Sequence, residues 1–281
     1  MNSKERFTAL LRGEKVDYTP IFPKTSFATS RCVDGMSILD YMTSETNMAA
    51  AIIASAKKYG YDAVGITTDI ANEGMAIGSV YERPKNSTSK LTKYYLDKIE
   101  DYEKVSVTNP LETEPTKTII GATKIVKKAI GDKTFVTAWC NGALNVASQL
   151  YPMQELLYTM IDEPELLHKL LDRCCAYSEN YARQLVRNGA DGVSFGHAMA
   201  SCSVISPSYY EEFALPYEKR LVNAIHEEGG VAITHICGNI TMIADKINTN
   251  GSEIIDFDHC CDLTTLLRKT TKILRGNIDP A

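Results

Sequence analysis

Apolar residues along this chain follow two patterns in turn. Short, nearly continuous apolar runs occur at 62–69 (DAVGITTD), 134–141 (TFVTAWCN), 191–198 (DGVSFGHA), 230–238 (GVAITHICG), 253–259 (EIIDFDH) and 272–279 (KILRGNID), and each predicts a buried strand. YTPIFPK, 18–24, is a candidate first strand. Continuous rather than alternating apolarity suits parallel strands covered on both faces. Segments of helical period lie between the runs. One extends from Ser44 to Gly60, with apolar positions at Met48, Ile52, Ile53 and Ala56. A second opens at Asp162, with Glu165 completing a capping box, and carries Leu166, Leu167, Leu170, Leu171 and Cys174 toward Gly189. A third takes Ser206 as N-cap and Pro207 as its first residue, with a kink expected at Pro216 and an end at Gly229–Gly230. GSVYERPKNSTSKLTKYYL, 78–96, alternates about a polar centre and predicts a hairpin outside the repeat.

Repeated strand–helix units joined by short loops imply a parallel sheet. No dinucleotide-type glycine fingerprint follows any of the strands, which lowers a Rossmann reading. The expectation is an α/β protein with a (β/α)8 TIM-type barrel, a single domain over 1–281 with the hairpin excursion at 78–96. Only about seven strands can be counted, and the sequence ends at GNIDPA just after the last of them. The final β/α unit is therefore expected to be missing, leaving sheet edges that stay open or are covered by a second copy in a homodimer.

Composition narrows the function classes. The formal net charge of −5 argues against nucleic acid, whose phosphates demand clustered Lys and Arg. KIVKK, 124–128, sits at helical spacing and reads as a solvated face. The N-terminus, MNSKERFTAL, has no apolar core of a secretory signal, and no run is long enough to span a bilayer, so a cytoplasmic protein with no membrane partner is expected. Eight cysteines in that setting read as thiols, several of them packed in the core. Cys174 and Cys175, inside a helix, are assigned to packing alone.

In a barrel of this class the chemistry sits where strands end. Those ends deliver Asp69, followed by Glu73; Trp139, Cys140 and Asn141; His197; His235 and Cys237; Asp256, Asp258, His259, Cys260 and Cys261; and Asn277 and Asp279. Residues i and i+2 of a strand point to one side, so His235 and Cys237 project together, as do Asp256 and Asp258. An imidazole and a thiolate on one side of a strand end can share a zinc ion, which needs four ligands and in catalytic sites takes three from protein. The third donor would come from Asp258, Cys260 or Cys261 on the next strand, or from Cys140 or His197 across the barrel. The plainer reading is a hydrogen-bonded histidine beside a packed cysteine. Asp69 either caps the following helix or holds a polar group of a substrate in the barrel mouth. His197 reads equally as ligand, acid/base or bystander.

Several stretches carry a resemblance over essentially the whole chain: RFTALLRGEKVDYTPI, TTDIANEGMAIGSVYE, ASCSVISPSYYEEFALPYEKRLVNAIHEEGG, HICGN and ILRGNIDP. The sequence resembles the uroporphyrinogen decarboxylase superfamily, and within it the methylcobamide:coenzyme M methyltransferase branch. The resemblance implies a zinc-dependent methyltransferase. Its methyl group would move between a corrinoid such as methylcobalamin, held by a separate carrier protein, and a small-molecule thiol or related acceptor. It implies that HICGN opens a His-x-Cys…Cys zinc site at His235 and Cys237, with Cys260 or Cys261 as substitutes for a final cysteine that the family places beyond the GN-DP stretch. Asp258 would be an auxiliary ligand or would orient the thiol. Asp69 matches the aspartate that the decarboxylases place in the barrel mouth, and with Glu73 it would line that mouth. No corrinoid-contacting residue is assigned. The decarboxylases' arginine-rich segment is absent from IFPKTSFATSRC, although Arg31 is present, and FGHAMAS stands where the family usually has Asp-Pro. The alternatives are a metal-free decarboxylase-like lyase centred on Asp69, and a non-catalytic binding relative.

Overall fold

A computed structural model describes residues 1–279; Pro280, which closes the ILRGNIDP stretch, lies outside them. Eight strands form: β1 (Ala63–Ile66), β2 (Val80–Glu82), β3 (Lys90–Lys93), β4 (Phe135–Asn141), β5 (Gly192–Gly196), β6 (Val231–His235), β7 (Ile254–Asp256) and β8 (Ile273–Arg275). Six of them make one parallel sheet in the order β1-β4-β5-β6-β7-β8. The sheet curls into the wall of a TIM-type barrel with helices outside it. β2 and β3 pair antiparallel as a separate hairpin, within the stretch where alternation predicts one.

The expected strand at 18–24 does not form. Pro20 and Pro23 have no N–H to give a ladder. The segment runs instead as an extended loop beside β1, where the amide of Asp62 donates to the carbonyl of Ile21 at 2.9 Å. Helix boundaries shift for similar local reasons. Glu45–Tyr59 is capped by Ser44 and ends at Gly60 with φ +68°, as its pattern predicts. Asp162, by contrast, ends the helix Met153–Asp162, and the long helix Pro164–Arg187 begins at its proline with no side-chain cap. Pro216 divides the third segment into two helices, Pro207–Phe213 and Leu215–Glu227, separated at Ala214. Among the described residues no helix is long and apolar enough to cross a membrane.

The alternation of side chains along each strand creates two different faces. Val64, Ile66, Val136, Ala138, Cys140, Val193 and Phe195 belong to the main core, shared with the outer helices. Inside the barrel, a smaller cluster of Phe7, Ala63, Phe135, Ile233 and Ile254 fills the end where the strands begin, with Phe22 and Ile273 packed against it. Phe7 stacks on Phe135 at 4.4 Å, so the helix Ser3–Leu11 plugs that end. Farther along the same inner face the residues turn polar: Thr137 and Trp139 on β4, Ser194 on β5, His235, Asp256 and Arg275. The barrel is thus sealed at one end and chemically furnished at the other.

Candidate functional site

Parallel register sets the site. Asn141, Gly196, His235, Asp256 and Arg275 are successive partners across β4 to β8, so five strand ends share one tier. Side chains in register point to the same face. His235, Asp256 and Arg275 therefore meet: His235 Nδ1 lies 3.0 Å from Asp256 Oδ2, and Arg275 grips the same carboxylate, with Nε donating to Oδ1 at 2.6 Å and Nη2 donating to Oδ2. Gly196 makes room in this tier, because a Cβ there would fall 2.2 Å from the Trp139 ring. The indole of Trp139 lies edge-on to the His235 ring, 5.5 Å between centroids.

Burial alone would raise the Asp256 carboxyl, but the charge of Arg275 and the bonds from His235 and Arg275 hold it well below the usual carboxylate range. Burial alone would lower His235; its bonds to Asp256 and Cys237 outweigh that and raise it. Cys237 Sγ lies 3.4 Å from His235 Nε2, and that hydrogen bond lowers the thiol pKa. A lowered, exposed thiol is chemically available in a way that the packed cysteines are not. Cys140, Cys174 and Cys175 are buried, and burial pushes all three up.

Gly238 follows Cys237 with φ +75°, a left-handed turn that glycine adopts without strain. The turn brings the amide of Gly238 to Asp258 Oδ2 at 2.9 Å. Asp258 is thereby committed to shaping the HICGN loop, and its Oδ1 accepts from the backbone amide of His259 at 2.7 Å and meets His259 Nδ1 at 2.9 Å. Cys261 is buried, its thiol turned to the carbonyl of Gly238 at 3.5 Å and accepting from the amide of Ile240 at 3.4 Å. Cys260 is exposed on the same loop, its carbonyl 3.4 Å from Asn239 Nδ2. Among the described residues no three His, Cys, Asp or Glu side chains are grouped to hold a metal ion. His235 and Cys237 converge as their spacing predicts; Cys260 and Cys261 do not join them.

The other expected donors are occupied elsewhere. His197 is fully buried, accepting from the amide of Leu144 on Nε2 at 3.3 Å, with Nδ1 2.8 Å from Glu218 Oε1. That tautomer leaves neither nitrogen free. Glu73 does not line the mouth. It is fully buried, accepts from the amide and the side-chain amide of Asn141, and burial pushes its carboxyl up to about 7. Asp69 is also buried: Oδ1 accepts from the amide of Ala71 at 3.1 Å, and Oδ2 from the amide of Ser89, at the hairpin tip, at 2.8 Å. Its carboxylate ties a neighbouring loop and the β2–β3 hairpin to the end of β1.

Sequence reasoning misses Lys24 and Arg275. Both line a small pocket open to solvent, with Phe22, Thr67, Thr137, Trp139 and Ser194 among its walls. Lys24 comes from the loop that replaces the expected first strand, and its ammonium sits 3.6 Å above the Trp139 ring. The available signal was position: each lies near a strand end beside residues already singled out.

Comparison with known proteins places these features in a lineage. The family model described as "Uroporphyrinogen decarboxylase (URO-D)" matches residues 2–281. "Methylcobamide:CoM methyltransferase MtbA" of Methanosarcina mazei is 28% identical over 99% of this chain and 82% of that protein. "Methylcobamide:CoM methyltransferase MtaA" of Methanosarcina barkeri is 25% identical over 89% of the chain and 74% of that protein. A "Uroporphyrinogen decarboxylase" of Prochlorococcus marinus is 28% identical over 66% of the chain and 54% of its own length. Among solved structures, a "methyltransferase from Methanosarcina mazei" superposes with a TM-score of 0.90 over 99% of this chain and 83% of its own, at 23% identity, a likeness of fold.

Proposed function

This chain belongs to the uroporphyrinogen decarboxylase family, and within it we propose a corrinoid-dependent methyltransferase that moves a methyl group between a methylcobamide on a separate carrier protein and a small thiol. The observation that carries this reading is the His235–Cys237 pair, Nε2 to Sγ 3.4 Å, at the furnished end of the barrel. Similarity to methylcobamide:CoM methyltransferases along nearly the full chain supports the same choice.

The donors fit zinc in type, one imidazole nitrogen and one lowered thiol. His235 and Cys237 would hold the ion, with Cys260 or Cys261, on the loop bonded to Gly238 and Asn239, as the further donor. When bound, zinc stabilises a thiolate at neutral pH. The protein's own residues prepare the site. Asp256 engages Nδ1 of His235 and so directs Nε2 toward Cys237, while Asp258 fixes the loop that carries Cys237. The acceptor thiolate attacks the methyl carbon in line; the new S–C bond forms as the C–Co bond breaks, and its electron pair stays on cobalt.

Zinc content by elemental analysis and loss of methylcobalamin absorbance in the presence of 2-mercaptoethanol test the reading together. The parent protein should hold zinc and consume methylcobalamin, and Cys237→Ser should lose both. A zinc-free parent that decarboxylates uroporphyrinogen, with Cys237→Ser equally active, would establish the lyase instead.

A further inference from the structure

On the outer side of β6, away from the pocket, lies a buried polar network. Glu218 stands in the first turn of the helix Leu215–Glu227, where the helix N-terminus favours a negative charge. Its carboxylate accepts from three separate elements. Oε1 meets His197 Nδ1 at 2.8 Å, and Oε2 accepts from the Tyr210 hydroxyl at 2.7 Å and from Asn250 Nδ2 at 2.9 Å. His197 Nε2 accepts from the amide of Leu144, so the proton sits on Nδ1 and is donated to Glu218. Asn250 Nδ2 also donates to Thr234 Oγ1 at 2.9 Å. The Thr234 hydroxyl donates to Ser252 Oγ at 2.9 Å, and Ser252 donates to Asn250 Oδ1 at 2.8 Å. None of these six side chains belongs to a residue more than 2% exposed, so the network is dry and closed on itself. Burying a carboxylate is costly even when it is bonded, and apolar side chains of similar volume would pack there without that cost. What the network adds is geometry.

Two of its members grip β6 beside His235. Thr234 is the preceding residue of the strand, and its side chain points to the outer face while that of His235 points inward. The amide of His197 donates to the carbonyl of His235 at 2.9 Å. The segment that follows His197 packs against the next turn, since a Cβ on Gly238 would lie 3.0 Å from Ser201 Oγ. His197 belongs to FGHAMAS, where the sequence departs from the usual Asp-Pro of its relatives. We propose that Glu218 is a positioning residue: through His197 and through Asn250 and Thr234, its buried carboxylate fixes the end of β6 from which His235 and Cys237 project. It touches neither side chain. It sets the strand end and the exit of the chain toward Cys237, and with them the 3.4 Å approach of Sγ to Nε2. This role does not depend on which reaction the pair performs.

The rate at which Cys237 is alkylated reports that approach, because a thiol bonded to an imidazole reacts faster at neutral pH than one without such a partner. The full chain, dialysed against EDTA, is labelled with iodoacetamide at pH 7, and the modified peptides are quantified by mass. Cys260, an exposed thiol outside the network, sets the reference rate, and the buried Cys140, Cys174 and Cys175 report unfolding. Glu218→Gln keeps the shape but removes the charge and turns an amide donor toward Asn250. Thr234→Val removes one hydroxyl; Thr234→Ser keeps it. Glu218→Gln and Thr234→Val should each slow Cys237 relative to Cys260 by about threefold, with the buried thiols still protected. Thr234→Ser should match the parent. If Glu218→Gln exposes the buried thiols, the two Thr234 variants decide. A Cys237 to Cys260 ratio at or above the parent's in every folded variant, whatever happens to the melting temperature, would show that the network only stabilises the fold. Equal slowing in Thr234→Val and Thr234→Ser would also overturn the proposal. No corrinoid or acceptor thiol enters the experiment, so its failure would leave the methyltransferase reading untouched.

Discussion

Glu73 shows how a single buried group ties local chemistry to the behaviour of the fold. Its carboxyl is enclosed by protein and bonded to Asn141, and burial pushes its pKa up to about 7. In an unfolded chain it would titrate near 4.3. The native state therefore takes up a proton in the interval between these values that the unfolded state does not. Glu73's contribution to stability is fully present below that interval and is lost as pH rises through 7. A shift of this size corresponds to roughly 3–4 kcal/mol. Urea denaturation of the parent should show stability falling between pH 5 and pH 8, and Glu73→Gln should flatten that fall. An unchanged slope in the variant would mean that Glu73 ionises without cost. At this scale the sequence was readable where chemistry is local. His235 and Cys237 lie two positions apart, and the strand period alone puts them on one side. Asp256, Arg275 and Lys24 owe their roles to register between strands and to a distant loop, which no local pattern encodes. Cys260 and Cys261 are candidates because they follow the next strand, yet their loop turns the buried thiol of Cys261 onto the Gly238 carbonyl.

The elements were legible in proportion to the length of their patterns. β4, β5 and β6 are continuous apolar runs and form where expected, whereas Pro20 and Pro23 prevent the first strand and Pro216 separates two helices where one with a kink is predicted. The β2–β3 hairpin is legible from alternation, but its attachment is not, because that depends on bonds to distant residues: the amide of Leu39 donates to the carbonyl of Lys85 at 3.0 Å, and Arg83 Nη2 donates to the carbonyl of Met42 at 3.0 Å. Asp69 Oδ2 accepts from the amide of Ser89 across 20 positions. Exposed on most of its surface, the hairpin has little apolar burial to hold it down. Asp69→Ala should therefore loosen it near Ser89: removing the acceptor costs about 1–3 kcal/mol of local stability. Hydrogen exchange at Ser89 and tryptic cleavage at Lys85 and Lys90 should accelerate, with little change in the global melting temperature. Protection equal to the parent's would show that the hairpin is held by something other than Asp69.

At the scale of the whole molecule, the two ends of the barrel divide the work. The end where strands begin carries its own ionic and aromatic contacts. Arg6 Nη1 reaches the fully buried Asp62 at 2.5 Å, and Nη2 of the same guanidinium donates to Asp17 at 2.9 Å. Asp191 receives both Lys4 and Lys127, at 2.9 and 2.6 Å. The fold class was legible from the strand–helix alternation, but this sealing arrangement joins residues up to 187 positions apart and leaves no pattern in the sequence. In barrels of this class that end serves stability and the opposite end serves chemistry. Arg6→Ala tests the division. It leaves the carboxylate of Asp62 buried with the amide of Ile21, at 2.7 Å, as its remaining close donor. Breaking a buried pair on one side costs about 3–5 kcal/mol, a large part of a typical net stability of roughly 5–15 kcal/mol. Arg6→Met with Asp62→Asn should recover much of that loss, since the charge is removed and the carboxamide oxygen would still accept from the amide of Ile21. Below its melting temperature, the single variant should keep the parent's Trp139 fluorescence, because Trp139 and the Lys24 ammonium above its ring are untouched. A variant that melts like the parent would remove Arg6 as a structural clasp; one that melts early and also shows a shifted Trp139 fluorescence while still folded would show that the sealed end and the chemical end are coupled.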